Sequence, residues 1–364
     1  MMNRAESQDR KLAALRETLF ARRAQGILLH SQAAVSWLTG ARTFINTASE
    51  SACMQVLVTQ DSVHCLANNI EARRLAEEEV EELRAKWVDY PWYDSSLRRR
   101  LPAQLAGTSS QPLLSEEELA ADLFVMMNTL DDYEQSVMRR LATDTVSALQ
   151  QVAREFARGE SEFALAGRLA KALWERGVEP IVLLVAGDER ARLRRHPLPT
   201  GQPVDHYGLL VVCGRRQGLV ASATRSVAFG KLQDDLRERQ AVAGYVDAVA
   251  IANSRPGVAL DTIFSRIQQA YAERGFPGEW SMHHQGGIGG YGSRTQLAVP
   301  DAHVVLRPGM TMAWNPTVMG AKSEDTCLVG QEEPEILGVA PGDWPTTAHR
   351  ADGMTLMRPE VLVR

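Results

Sequence analysis

VVCGRRQGLVASATR, residues 211–225, is the stretch on which the fold of this chain turns. It belongs to a set of apolar, strand-like runs, IVLLVAG, GLLVVCG and LVASATRSVAFG, each interrupted by polar or small residues. Three other stretches of the same half gather unusual polar residues beside apolar ones. GDERARLRRHPLPT (187–200) carries Asp188, Glu189, four arginines and His196, and Pro197 forces an extended or turn backbone at that histidine. WSMHHQGGIGGYGSR (280–294) holds His283 and His284, and AWNPTVMGAKSEDTC (313–327) holds Asn315 and Glu324.

Each stretch has a plain structural reading. The arginine run serves equally as a solvated face. GGIGG is half of a dinucleotide fingerprint without its flanking strand and helix, so a hairpin turn suits those glycines better. A His-His pair is commonly structural, Asn315-Pro316 reads as a turn, and Lys322 to Thr326 reads as a strand entry. Four such clusters in one half of the chain argue for one shared site.

Working outward, residues 10–24 have helical spacing of Leu12, Leu15, Leu19 and Phe20. Strand runs follow at 26–30, 54–60 and 63–68, the last as a hairpin partner, and then a charged helix at 70–86. The segment 106–118 reads as a surface loop with strand character at Pro112 to Leu114. A long helix ends near Gly159, and a second spans 161–177 with Ser161 as N-cap and Gly177 as stop. Two more helices fall at about 232–254 and 259–274, and the last 80 or so residues are rich in strands and turns. The change of character places a domain boundary near residue 130, giving domains 1–130 and 131–364.

Composition excludes several classes. Over 364 residues the net charge is -5 with 23% charged residues, which is not a nucleic-acid footprint. No run of about 18 apolar residues exists to span a membrane, and the first residues lack the apolar core of a signal peptide. Cys53, Cys65, Cys213 and Cys327 form no CxxC pair, so a cytoplasmic protein with reduced thiols is the expectation.

The four clusters, in this order and spacing, resemble the creatinase/aminopeptidase P/prolidase superfamily. AAVSWLTGARTF (33–44) resembles that superfamily's N-terminal strand-and-turn segment. The resemblance implies an α/β N-terminal creatinase-like domain followed by an α+β pita-bread C-terminal domain. It also implies a homodimer whose sites are closed by a loop of the partner chain, with Arg42 and Thr43 as candidates. Metal-dependent members hold two ions with two Asp, one His and two Glu. Carried over, the first Asp falls on Val212 and the second on Ser222. The His falls on His284, with His283 as the other choice, and the glutamates fall on Asn315 and Glu324. Both aspartates and one glutamate are thus replaced, so the expectation is no catalytic metal and no cofactor.

Creatinase, a metal-free member of the superfamily, suggests the chemistry. His196 sits where the family has its non-ligand catalytic His and is expected to act as acid and base. Glu324 would orient it or bind a cationic group, and His284 would polarise a carbonyl. Arg225, Arg195 and Arg294 would clamp a carboxylate, with Asn315, Ser222 and His283 lining the site. The expected activity is metal-independent cleavage of a C–N bond in a small amino-acid-like, guanidino or amide substrate. A Xaa-Pro metallopeptidase and a non-catalytic binding protein are the alternatives. Cys213 is a rival nucleophile, against the simpler reading of a buried structural thiol.

Overall fold

The computed structural model describes residues 2–80, 82–108, 110–338, 342 and 344–364. Ser109 of the expected 106–118 loop and Glu81 of the expected 70–86 helix lie outside the described residues. The chain divides into two compact units, one of 1–134 with 217–219 and one of 135–216 with 220–364.

The first unit begins with α1 (Arg4–Arg22), started by a capping box between Asn3 and Glu6 and stopped by Arg23 in the left-handed region. Leu12, Leu15 and Leu19 form its buried stripe. The sheet that follows contains β1 (Gly26–Ser31), β2 (Ser51–Val58), β3 (Val63–Asn68), β4 (Lys86–Tyr90) and β5 (Leu113–Leu114), in the order β4-β3-β2-β1-β5. β2–β3 is antiparallel, as the hairpin reading expects, β1–β2 is antiparallel as well, and the outer pairs β3–β4 and β1–β5 are parallel. Further helices are α2 (Gln32–Thr39), α3 (Ala72–Arg74), α4 (Ser95–Ala106) and α5 (Ala120–Asn128).

Two sequence expectations fail here. AAVSWLTGARTF begins as α2 rather than a strand, because Ser31 caps Ala34 N and Gly40, at φ 68°, ends the helix. The charged stretch 70–86 is not one helix. After α3 and a π-turn over Leu75–Glu79 the helix stops, and the buried Glu79 carboxylate accepts from the backbone N and Nε of Arg42, each at 2.9 Å.

The second unit carries α6 (Asp132–Glu155), α7 (Glu162–Trp174), β6 (Glu179–Gly187), α8 (Asp188–Leu193), β7 (Tyr207–Arg216) and β8 (Leu219–Ala228). α9 (Asp234–Ala252), α10 (Leu260–Glu273), β9 (Gly286–Ile288), β10 (Gln296–Leu297) and β11 (Thr311–Trp314) follow. The chain ends with β12 (Thr317–Val318), β13 (Ala321–Lys322), β14 (Asp325–Val329), β15 (Pro334–Ile336), β16 (Thr346–Ala351), β17 (Met354–Pro359) and β18 (Leu362–Val363). Ser161 caps α7 at Ala164 N, as its place in the sequence predicts.

The main sheet runs β10-β9-β11-β14-β8-β7-β6, with β15 on β14 and β18 on β8. Gly286 and Gly287 are not a hairpin turn. They lie in β9, between β10 and β11, at φ 104° and 155°. A Cβ there would collide with the Ala313 and Gln296 carbonyl oxygens, so the close approach of three strands requires glycine. Among the described residues no helix is long and apolar enough to cross a membrane.

Candidate functional site

β7 and β8 supply the floor of the site. Side chains alternate along a strand, so only every second residue can face it. On β8, Ser222 and Thr224 take one face and Arg225 the other. Cys213 Sγ lies 3.1 Å from Ser222 Oγ, and Thr224 Oγ1 donates to Glu324 Oε2 at 2.7 Å. Arg225 instead pairs with Asp325 at 2.9 Å. Asp325 also accepts from Arg358, which bonds Asp247 on α9, in one buried ionic chain. Burial pushes the Asp247 carboxyl up to about 6, against the pull of Arg358. Arg225 therefore braces the sheet on the face opposite Ser222 and Thr224, away from Glu324.

The same alternation corrects Val212. It lies one residue out of phase with Cys213, and the side chain that meets Ser222 is the thiol. Cys213, and not Val212, is therefore the side chain of that strand which lies beside Ser222. Burial raises the pKa of that thiol, and the nearby Glu324 charge raises it further. A neutral buried thiol is a poor nucleophile, so the structural reading of Cys213 fits its surroundings better than the nucleophilic one.

Glu324, between β13 and β14, is 2% exposed and surrounded by donors. Its Oε2 meets Lys322 Nζ at 2.9 Å and its Oε1 meets Arg294 Nη2 at 2.9 Å. Arg294, in the turn between β9 and β10, also donates to Ser222 Oγ at 3.2 Å. Burial raises the carboxyl's pKa, but Lys322, Arg294 and the Thr224 hydroxyl outweigh it and hold Glu324 at about 2. It is an anion whose charge is already countered by two cations, which disfavours a further cationic substrate group.

Three imidazoles converge beside this cluster. His196 is exposed on the loop after α8, its place fixed by the buried Pro197 and by Arg195, which bonds Glu279 at 2.5 Å. His283 is buried and His284 half-buried, on the segment entering β9. Gln285 secures that segment: its amide donates to Trp280 O and accepts from Tyr271 Oη at 2.9 Å. His283 Nε2 lies 2.9 Å from His196 Nε2, and the His283 and His284 rings stack at 4.5 Å. The residue that orients His196 is thus His283, where the sequence reading expected Glu324.

Burial, then Lys322 and the neighbouring imidazoles, lowers His283 to about 2. Burial, then Arg294 and His196, lowers His284 to about 4. His196, though exposed overall, has its ring against the other two and is lowered too, by the desolvation this brings and by Lys322, with Glu324 opposing. All three are neutral at pH 7, so each has a lone pair.

Asn315 is buried, its N–H donating to Gln285 O at 3.1 Å, with no protein partner for Oδ1 among the described residues. Arg42 belongs to the first unit, held by Glu79. Lys322, buried against Glu324, is the residue of this cluster that the sequence reading does not single out. Its signal was a lysine two residues from Glu324, inside an apolar strand region.

The donors do not fit a dinuclear carboxylate centre. Cys213, Ser222 and Asn315 bring no bridging carboxylate, and the oxygens of Glu324 are taken by Lys322 and Arg294. Lys322 and Arg294 already neutralise the one carboxylate that a bound ion would draw on.

The fold itself is a known one. A prolidase from Pyrococcus horikoshii superposes with a TM-score of 0.74 at 16% identity, covering 92% of this chain and 99% of that one. A prolidase from Thermococcus sibiricus gives 0.76 at 14% identity over the full length of both. A Xaa-Pro dipeptidase from Bacillus anthracis gives 0.73 at 15% identity, over 98% and 100%. No curated protein matches the sequence. Residues 11–152 match the creatinase/prolidase N-terminal domain. Residues 136–331, more than half of the chain, match metallopeptidase family M24, and the chain belongs to that family.

Proposed function

We propose that this protein hydrolyses an amide C–N bond in a small substrate with a carboxylate, without a catalytic metal, using His196 as acid and base. One observation carries the reading. An exposed imidazole, braced by a second imidazole at 2.9 Å, stands beside a buried carboxylate that is paired with two cations.

The base-competent tautomer of His196 donates Nε2–H to His283 Nε2 and leaves Nδ1 free. Nδ1 takes a proton from water as the water oxygen bonds to the carbonyl carbon. The imidazolium so formed keeps its Nε2–H on the His283 lone pair, which the low pKa of His283 keeps available. His284, whose Nδ1 has no protein partner, and the Arg294 guanidinium supply donors for the developing oxyanion. The proton on His196 then passes to the leaving nitrogen as the C–N bond breaks. Two cations against one carboxylate leave the pocket net positive, which favours a substrate carboxylate over a guanidinium.

A Xaa-Pro dipeptide is itself an amide with a free carboxylate, and the Bacillus anthracis relative is a Xaa-Pro dipeptidase. The test panel therefore contains N-acyl amino acids, Xaa-Pro dipeptides and guanidino acids, assayed with excess chelator. Turnover of the amides that disappears in His196→Ala supports the proposal. Turnover that needs added Mn²⁺ or Co²⁺ refutes it.

A further inference from the structure

The three imidazoles make a second kind of site. We propose that His196, His283 and His284 bind one transition-metal ion of the Zn²⁺, Co²⁺ or Ni²⁺ class, and that this ion inhibits rather than catalyses. The site uses no carboxylate and so differs from the two-ion centre that the family resemblance implies.

The three histidines each offer a ligand nitrogen, and these lie within 4.8 Å of one another. His196 Nε2 and His283 Nε2 are already 2.9 Å apart, sharing one proton. Two imidazole nitrogens on a tetrahedral ion, each bonded at ~2.0–2.1 Å, are separated by about 3.3 Å. An ion replacing the shared proton thus needs the pair to open by only a few tenths of an ångström. His284 must swing further, because its ring lies nearly parallel to that of His283, at 24°. Its second side-chain torsion is soft, and no protein partner holds its Nδ1. The exposed position of His196 leaves a route for the ion and an open place for water. Neutral imidazoles without thiolates or free carboxylates select borderline ions over Mg²⁺ or Ca²⁺.

Inhibition follows from the tautomers. The ion takes the Nε2 lone pairs of both His196 and His283, so each ring carries its proton on Nδ1. The Nδ1 atom that the proposed mechanism uses as base is then a donor. This half of the inference rests on the hydrolase reading, whereas metal binding does not.

The test uses the full chain, free of any polyhistidine tag and stripped with chelator. Co²⁺ titration is followed by visible d–d absorption and by calorimetry. The expected result is one equivalent bound and displaced by Zn²⁺, with His196→Ala and His283→Gln each weakening binding at least about tenfold. His206→Ala, an exposed histidine outside the trio, should bind like the parent. His196 is exposed, so its variant folds even where the buried His283 variant does not.

No saturable binding, or equal binding by His196→Ala, overturns the site. Two equivalents insensitive to His196→Ala also overturn it. If one ion binds through the trio and amide turnover rises, the site stands and the metal-free reading falls. If no ion binds and the chelated protein still turns over amides, the site falls and the hydrolase reading stands.

Discussion

Replacing Glu324 by Gln is a sharp test of whether Lys322 and Arg294 have taken over from metal ions. Glu324 lies 2.9 Å from each cationic head, and its side chain and that of Lys322 are almost wholly buried. At ~3 Å and an effective dielectric of about 20, each attraction is worth about 6 kcal/mol. Desolvation of the ions offsets much of that, so the intact cluster contributes little net stability. Breaking it is different, because removing one partner of a buried pair costs about 3–5 kcal/mol. Glu324→Gln leaves two buried cations facing each other and should cost the upper end of that range. Lys322→Met leaves Glu324 still bonded to Arg294 and Thr224, and should cost about 2–3 kcal/mol. The double variant should fall short of the sum by about 1–3 kcal/mol.

Calorimetry of the metal-free protein measures these effects. For a domain of this size about 1 kcal/mol moves Tm by about 2–4 °C, so Lys322→Met should lower it by about 5–10 °C and Glu324→Gln by more. The sign is decisive. Were Glu324 a vacant metal ligand, neutralising it would leave the metal-free protein unchanged or more stable. That result, or additive single effects, would refute the cation-replacement argument.

Other expectations follow from the same geometry. His196→Ala should lower amide turnover by about 10²–10⁴-fold while leaving Tm nearly unchanged, because the side chain is exposed. Acid should destabilise the fold in two stages. His283 and His284 have lowered pKa values, so the unfolded chain binds more protons and stability falls as pH drops below about 6.5. The contribution of Glu324, also lowered, is present above its unfolded value and is lost as pH falls towards about 2. Melting curves across pH 8 to 3 check both stages, and His283→Gln should flatten the first. Gly287→Ala should destabilise by more than about 2 kcal/mol or prevent folding, since its Cβ would meet the Gln296 carbonyl. Soluble expression and Tm read that directly.

Local signals carried most of the secondary structure. Ser161 before an apolar-periodic run marks α7, and the runs ending in Gly187 and Gly214 mark β6 and β7, because caps and strand periodicity depend on neighbours in sequence. The failures arise where a distant group decides. Residues 70–86 have helical composition, but the Glu79 carboxylate is drawn to the Arg42 backbone. GGIGG has turn composition, but three-strand crowding uses its glycines inside a sheet. The site was legible as a list of residues and not as an arrangement. Period-two alternation separates Thr224 from Arg225 and Glu324 from Asp325, and one residue of uncertainty in register exchanges Val212 for Cys213.

That alternation also decides which counter-charges the buried carboxylates of the sheet meet. A buried carboxylate with no counter-charge is expensive, so Glu324 needs cations within reach. Lys322 and Arg294 supply that charge from positions flanking β14 and β9, on the same face as Thr224 and Ser222. On the opposite face, Arg225 and Arg358 serve Asp325 and Asp247 in the same way. Both faces are therefore closed by guanidinium or ammonium groups held in covalent register. The face with Glu324 keeps one cation in excess, and the imidazoles beside it stay neutral. A neutral base next to a fixed positive potential is suited to a substrate that arrives with a carboxylate and leaves with a protonated nitrogen.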